Sequence, residues 1–225
     1  WRVVSKLPAV PESGVDAGKV VREWVIGSLG RLKIPMLAGV LLHRPQQLLA
    51  PQGEELYQAL VRLTQQGVVE KIGVSIYDPG ELEALWPRFH FDLIQAPFNI
   101  FDQRLLTSGW LHRLHRAGVE VHTRSAFLQG LLLMSASSRP KQFDRWQSLW
   151  TKWDRWLTEH ALTPVEACLA FVLSHSEIDC VVVGVDNVRQ LREIVRAAGT
   201  KTVPAAQGLA TNEPHLILPS NWTKV

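Results

Sequence analysis

Four apolar segments in the first half of the chain each run into a polar residue that could act on a bound molecule. These residues are Lys6, His43, Ser75 and Gln95. A lysine can lower the pKa of a neighbouring acid, and an imidazole can bind or protonate a carbonyl oxygen. A hydroxyl and a side-chain amide together can hold a planar amide by donating and accepting in one plane. The set therefore indicates chemistry on a small molecule.

Each of these residues also has a structural explanation. Lys6 could be a strand-end lysine that reaches solvent, and a lone histidine after an apolar run is commonly a core histidine with its hydrogen bonds satisfied. Ser75 and Gln95 are each unremarkable alone. The carboxyl ends of parallel strands meet at one edge of a sheet, where loops build active sites. Lys6 and His43 on neighbouring strands therefore favour the functional interpretation.

A second group of candidates follows two later strands. The segment 123–130 mixes polar residues with a glycine, so it could approach a pyrophosphate closely, although an ordinary loop has the same composition. Gly184 and Asn187 stand before the last predicted helix, where free backbone N–H groups can bind phosphate. The carboxylate of Asp186 would repel that anion unless it caps the helix.

Two other groups are assigned to packing or solvent. The residues Trp146, Trp150, Trp153 and Trp156 fall on one helix face, which favours core or partner packing over a ligand platform. His112 and His115 lie one turn apart on a basic helix. No carboxylate or cysteine stands at matching spacing, so we predict a solvated face and no metal site.

Composition excludes several classes of protein. The chain has 225 residues, a net charge of +3 and no basic run, so nucleic-acid binding is not indicated. Two cysteines cannot build a disulfide framework, which favours a reducing, cytoplasmic setting. No apolar stretch is long enough to span a membrane, and no signal peptide is expected before the first strand.

Apolar periodicity predicts six strand–helix units in alternation. Strands are expected at 3–6, 36–42, 71–76, 92–98, 120–125 and 180–185, and helices at 16–32, 54–65, 105–117, 143–160, 164–174 and 187–198, with a short one after Asp78-Pro79. We assign residues 1–198 to one α/β domain and 199–225 to an irregular tail. Alternation of this kind fits a doubly wound sheet or part of a (β/α)8 barrel. No G-x-G-x-x-G turn follows any strand, which counts against a dinucleotide-binding open sheet.

Five segments in this order resemble the aldo-keto reductase family. They are V-V-S-K ending at Lys6, L-L-H-R-P around His43, the stretch 66–75 ending in I-G-V-S, the segment 95–104, and Gly184 with Gln190, Leu191 and Glu193. The resemblance implies a TIM barrel that transfers a hydride between NADP(H) and an aldehyde or ketone. The six units would then be strands three to eight, with the first two units lost by truncation or never present.

The resemblance also implies a role for each candidate. Lys6 would tune the catalytic acid, and His43 would orient the carbonyl. Ser75 and Gln95 would hold the nicotinamide carboxamide, and Arg124 stands where the family usually stacks an aromatic ring on the nicotinamide. The pyrophosphate path would be lined by Ser125, Phe127 and Gln129. The adenosine phosphate end would be lined by Gly184, Asn187, Gln190 and Glu193.

One family motif is missing. The family's catalytic aspartate and tyrosine belong to a D-T-A-x-x-Y motif, which occurs nowhere in the 225 residues. We therefore predict that this chain is catalytically impaired or inactive, with an exposed Lys6. At the position of the first two strands we expect a gap, a partner chain such as a second copy, or rearranged ends that cover the open sheet edges. The alternative is a non-catalytic barrel that binds a nicotinamide cofactor or a protein partner.

Overall fold

The computed structural model describes residues 1–11, 16–199 and 204–222. Contacts between Cα atoms divide the chain into two compact units. The first unit comprises residues 1–96 and 113–121, and the second comprises residues 97–112 and 122–225. The chain alternates strands and helices as the sequence predicts, and six parallel strands follow one another in chain order, β1 to β6. The α/β class is thereby confirmed.

The first unit contains four parallel strands. They are β1 (Val4–Leu7), β2 (Gly39–Leu42), β3 (Ile72–Ser75) and β4 (Leu93–Pro97), the last of which ends at the unit boundary. The helices between them are α1 (Ala17–Leu32), α2 (Gly53–Gln65) and α3 (Glu81–Leu85), with a 3₁₀ turn at Pro45–Leu49. Lys6 pairs with Leu41, and Ser75 pairs with Gln95. This register determines which side chains share a face.

Helices α1 and α2 bury apolar stripes at helical spacing. In α1 the stripe comprises Ala17, Val21, Val25 and Leu29, and in α2 it comprises Leu56, Ala59, Leu60 and Leu63. The Asp16 carboxylate caps α1 by accepting a hydrogen bond from Lys19 N at 2.9 Å. Since both stripes are withdrawn from water, they supply most of the driving force for these helices to pack.

The second unit contains the remaining strand pairing and the later helices. Its elements are β5 (Glu120–Arg124, which begins at the unit boundary), β6 (Cys180–Val181), α4 (Arg104–Thr107), α6 (Gln147–Glu159), α7 (Pro164–Leu173), α8 (Val188–Ala197) and α9 (Pro214–Ile217). Helix α5 (Trp110–Arg116) crosses the unit boundary. Strands β5 and β6 are parallel, with His122 beside Cys180.

Core packing is confirmed for three of the four tryptophans, and the prediction that all four share one helix face is wrong for Trp146. Trp150, Trp153 and Trp156 are buried on one face of α6, and the rings of Trp153 and Trp156 stack with centroids 5.8 Å apart. Phe101 packs against both Trp150 and Trp153, at 5.2 and 6.0 Å. Trp146 precedes the helix in a 3₁₀ turn and is half-buried. These rings therefore stabilise the second unit and present no ligand platform.

Several predicted boundaries are wrong for local reasons. The helix expected at 105–117 is two helices, because Gly109 takes a left-handed conformation with φ of 78° between them. The strand expected at 180–185 ends at Val181. Lys6 and Gln95 lie inside β1 and β4, because backbone pairing continues past both residues.

None of the helices in the described part of the chain combines the length and the apolar character of a membrane span.

Helix α7 begins with a capping box at Thr163-Pro164, where the sequence predicts the start of a helix. Glu166 N donates to Thr163 Oγ1 at 3.3 Å, while the Glu166 carboxylate accepts from Thr163 Oγ1 and N at 2.7 and 2.9 Å. These hydrogen bonds, first from the Thr163 side chain and then from its backbone, lower the pKa of Glu166.

Replacing Thr163 with alanine is expected to lower the free energy of unfolding by about 1 kcal/mol. The pKa of Glu166 is lower in the folded state than in the unfolded state, so its contribution is present above the unfolded pKa and is lost as pH falls through the folded pKa. Urea denaturation near neutral pH and at about pH 3 measures both effects. Glu166→Gln is the control that removes the titration. An equal loss for Thr163→Ala at both pH values would contradict this account.

Candidate functional site

In the first unit, two buried polar side chains at adjacent register positions leave polar atoms without partners. Ser75 ends β3, and Gln95 pairs with it on β4. The two residues are 1% and 4% exposed. Ser75 Oγ and Gln95 Oε1 make no hydrogen bond within the described residues. Leaving such atoms unpaired costs roughly 1–3 kcal/mol each, so the pair is expected to meet a ligand.

Lys6 and His43 share a sheet face with these residues. His43 follows β2 and donates its backbone N–H to Leu7 O at 3.1 Å. Extending the register places His43 level with Ser75 and Gln95, and Lys6 lies two positions earlier on the same face. Both Lys6 and His43 are exposed, as expected for Lys6. The structure thus places all four residues on one face of the first unit.

Leucine side chains fill the same face below the polar residues. A Cβ on Gly39 would lie 2.9 Å from Leu93 Cδ2, and one on Gly73 would lie 1.7 Å from Leu93 O. Leu41 and Leu93 are fully buried. Because glycines make room for these leucines, the face is apolar and closed beneath the polar residues. Ser75 and Gln95 lie between that core and the exposed His43 at the carboxyl ends of the strands, while the exposed Lys6 lies level with Leu41 on β1.

Sequence reasoning missed one residue of this cluster. Tyr77 stands two positions after Ser75, and its ring makes an edge contact with the His43 imidazole, with centroids 6.2 Å apart. Its side chain is half-buried. No strand pattern indicates it, because β3 ends at Ser75 and Tyr77 lies in the bend that follows. The pairing of β2 with β3 brings it to His43.

In the second unit, a cavity of about 500 Å³ brings together most of the other candidates. Seven of the eight predicted residues in this unit line it, namely Arg124, Ser125, Phe127, Gln129, Gly184, Gln190 and Glu193. Asn187 does not. It caps α8 instead, with Oδ1 accepting from Gln190 N at 3.0 Å. Apolar walls come from Leu133, Val165, Val183 and Ile194.

The charges of this cavity are mixed. Arg124 Nη1 donates to Ser125 Oγ at 3.3 Å, and the carboxylates of Asp186 and Glu193 also line the cavity. Because Asn187 is the cap of α8, Asp186 does not cap it, and the condition for a phosphate at this helix start is not met. The cavity therefore suits a ligand whose anionic part lies near Arg124 and whose hydroxyl-rich part meets the carboxylates.

The loop after β5 is held in an unusual backbone conformation beside the cavity. Ser125, Leu128 and Gln129 have φ of 63°, 47° and 55°, and Gly130 has φ of 84°. Left-handed conformations at residues other than glycine are uncommon, and clusters of them mark sites where function constrains the backbone. Turn hydrogen bonds hold the loop, including Leu128 N to Ser125 O at 2.9 Å. The loop is thus shaped around the cavity.

Ser75 and Gln95 have the hydrogen-bonding groups that can hold a carboxamide. A nicotinamide carboxamide offers two N–H donors and one oxygen acceptor, while Gln95 Oε1 accepts and the Ser75 hydroxyl donates. Both protein atoms are without partners in the described chain. The residues present therefore fit this part of a nicotinamide cofactor. Among the described residues, no three histidine, cysteine, aspartate or glutamate side chains gather as metal ligands.

Comparison with known proteins agrees with this geometry. The Aldo/keto reductase family model matches residues 2–207. The uncharacterized oxidoreductase YqkF of Bacillus subtilis is 26% identical over 192 residues, which cover 80% of this chain and 61% of that relative. This chain therefore spans less than two thirds of the length of that protein.

Two solved structures share the fold. Aldo-keto reductase AKR11C1 from Bacillus halodurans, in its holo form, superposes with a TM-score of 0.71 and 21% identity, over 93% of this chain and 72% of that one. The thermostable aldo-keto reductase Tm1743, in complex with the inhibitor epalrestat, gives a TM-score of 0.67 and 22% identity, over 89% and 66%. Sequence identities this low establish similarity of fold alone.

Proposed function

Since this chain belongs to the aldo/keto reductase family, we propose that it is part of an NADP-dependent oxidoreductase that interconverts a small aldehyde or ketone and its alcohol. Its six strands correspond in this proposal to strands three to eight of the family's (β/α)8 barrel. The observation that carries the proposal is the pair of partnerless buried atoms, Ser75 Oγ and Gln95 Oε1, at adjacent register positions.

In this proposal, Lys6, His43, Ser75 and Gln95 of the first unit have separate roles in binding the reactants. When bound, the reduced nicotinamide supplies the hydride. Ser75 and Gln95 hold its carboxamide and thereby fix which ring face is presented to the substrate. The exposed imidazole of His43 orients the carbonyl oxygen of the substrate. Lys6 lies two positions earlier on the same face. Because the acid that the family lysine serves is missing from these residues, we assign Lys6 only a minor share in stabilising the negative charge on that oxygen.

Taken by itself, the cavity of the second unit suits the phosphate and adenosine part of a dinucleotide. Arg124, Ser125, Phe127 and Gln129 line the side that we assign to the pyrophosphate. Gln190 and Glu193 accept hydrogen bonds from sugar or base, with Gly184 leaving open space beside them. Asn187 contributes indirectly, because its cap sets the position of Gln190.

Preference for NADP over NAD is supported by the charges of α8. Arg189, Arg192 and Arg196 line a neighbouring cavity of about 520 Å³, which shares Glu193 with the first cavity. The extra phosphate of NADP carries close to two negative charges at neutral pH, so guanidinium groups nearby favour it.

We expect NADP⁺ to bind about tenfold more tightly than NAD⁺, a difference of about 1.4 kcal/mol. Titration of tryptophan fluorescence with each nucleotide measures both affinities. Arg192→Gln should reduce the difference between the affinities for NADP⁺ and NAD⁺. Arg22→Gln, at an exposed position of α1, is the matched control. Equal affinities for the two nucleotides would remove the NADP assignment, and no binding of either would refute the proposed function.

A second candidate function follows from the missing motif. Without a D-T-A-x-x-Y segment the family's proton donor is absent from this chain, which favours a module that binds the cofactor or a protein partner with little catalysis. Steady NADPH oxidation in the presence of an aldehyde distinguishes the enzyme from such a module.

The proposal also includes a cytoplasmic location and self-association of the chain. Two cysteines in 225 residues, with no disulfide between them, support a reducing, cytoplasmic setting. Burial raises the pKa of the Cys168 thiol, and Cys180 is exposed. Strand β6 has two residues, and Val182 and Val185 beyond it are 42% and 43% exposed. We propose that a second copy of the chain covers such apolar edge positions. Size-exclusion chromatography with light scattering tests this.

A further inference from the structure

We infer that the first unit carries a separate small-molecule site, which binds a short aliphatic carboxylate. The site is a cavity of about 430 Å³ between the loops that follow β1 and β2. The inference goes beyond the proposed function and does not depend on it, because none of the four residues assigned to the reactants lines this cavity. The juxtaposition that carries it is the Arg44 guanidinium beside buried apolar side chains.

Arg44 gives the cavity its charge. Among the described residues that line it, Arg44 is the only charged one, and the other polar side chains are the amides of Gln46, Gln47 and Gln52. Arg44 is exposed, and its guanidinium makes no hydrogen bond, ion pair or ring contact with the described part of the chain. A guanidinium presents N–H donors in a planar fork that matches a carboxylate. The cavity therefore favours an anion.

The acidic residues of the neighbouring described segments leave this position open. None of them lines the cavity, namely Asp16, Glu54, Glu55 and Glu81. The Asp16 carboxylate caps α1, and Glu81 accepts a hydrogen bond from the side-chain amide of Gln46. Within the described residues, no carboxylate of the chain neutralises Arg44, so the charge complement comes from a ligand.

The remaining lining residues are apolar and mostly buried. Val10 and Ala17 are each 5% exposed, and Leu56 is 2% exposed. Ala50 and Pro11 complete this part of the cavity. An alkyl group gains free energy when it leaves water for such surroundings, whereas an inorganic anion has no apolar part to bury. A carboxylate with a short alkyl chain therefore fits the cavity better than phosphate does.

Hydrogen bonds between the two loops form the cavity in the absence of a ligand. Val10 N donates to Gln47 Oε1 at 3.0 Å, and Gln47 Nε2 donates to Val10 O at 2.6 Å. Gly53 N donates to Ala50 O at 2.8 Å, and a Cβ on Gly53 would lie 1.9 Å from Leu48 O, so only glycine allows this close turn. The volume falls in the range of small-molecule sites, which are mostly preformed.

Hexanoate is the probe for this site, and the side-chain amide signals of Gln47 in ¹⁵N-labelled protein report its binding. We expect a saturable shift with a Kd on the order of 1 mM. Hexanamide has the same shape without the charge, and inorganic phosphate has the charge without the alkyl chain. Both are expected to bind at least about tenfold more weakly. No saturable shift with hexanoate, or equal binding of hexanamide, would overturn the inference.

Three variants test the assignment to this cavity. Arg44→Gln should weaken hexanoate binding at least about tenfold, while Arg22→Gln on α1 stays within about twofold of the native chain. Ala50→Leu should prevent binding by filling the cavity with Arg44 still in place. Unchanged binding in Arg44→Gln or in Ala50→Leu would overturn the inference.

Glu12 lies outside the described residues and provides a further control. Glu12→Gln is expected to leave the affinity for hexanoate unchanged. Hexanoate binding that appears only in Glu12→Gln would show that Arg44 serves a carboxylate of the chain itself, which would overturn the inference. NADP⁺ titration of the same preparations tests the proposed function separately, because the two sites share no lining residue.

Discussion

With NADPH and a reactive aldehyde, the chain is expected to turn over roughly 10²–10⁴-fold more slowly than a family member that carries the D-T-A-x-x-Y motif. A positioned proton donor contributes a factor of that size, and the motif that supplies it is absent from the 225 residues. NADPH oxidation, compared under identical conditions, measures the difference.

The Lys6→Met variant is the control for this expectation. Lys6 is exposed, and the acid that the family lysine serves is missing here. We therefore expect Lys6→Met to change turnover less than tenfold, with Lys19→Met on the exposed surface of α1 as the matched substitution. Fast turnover that disappears in Lys6→Met, and persists in Lys19→Met, would show an intact site and contradict the account of impairment.

Replacing Gln95 with leucine is expected to change affinity and stability in opposite directions. Affinity for NADP⁺ should fall about 10–100-fold, because the carboxamide loses the acceptor Oε1. The free energy of unfolding should stay the same or rise by about 1 kcal/mol, because a buried acceptor without a partner is removed. Fluorescence titration and urea denaturation of the same preparation measure the two quantities.

Asn99 provides the contrasting control. It is fully buried, but its Oδ1 accepts from Phe101 N and Asp102 N, both at 2.9 Å, and its Nδ2 donates to Ser125 O at 3.1 Å. Asn99→Leu should therefore lower the free energy of unfolding by about 1–3 kcal/mol. If Gln95→Leu behaves like Asn99→Leu and leaves NADP⁺ affinity unchanged, then Gln95 is structural.

The sequence predicted the helices well because their signals are local. Asp16 and Thr163 cap α1 and α7 with side chains that can be recognised in the sequence. Strand ends were less well predicted, since they depend on partners far along the chain. Pairing with β2 extends β1 through Lys6 to Leu7, and the loss of pairing beyond Val181 ends β6 early.

The sequence indicated which residues belong to the candidate site, but it did not indicate which contacts they make. Residues carried over from the family motifs gather at one sheet face and in one cavity, but the sequence could not show that Asn187 is used as a helix cap. Tyr77 was missed because its contact with His43 arises from the register of β2 and β3. The unpaired state of Ser75 Oγ and Gln95 Oε1 likewise depends on every neighbouring side chain.

The most direct test of the central claim is a crystal structure of the chain with NADP⁺. The account expects the nicotinamide carboxamide within about 3 Å of both Ser75 Oγ and Gln95 Oε1. A bound nucleotide whose nicotinamide lies away from Ser75 and Gln95, with their polar atoms still unpaired, would contradict the account.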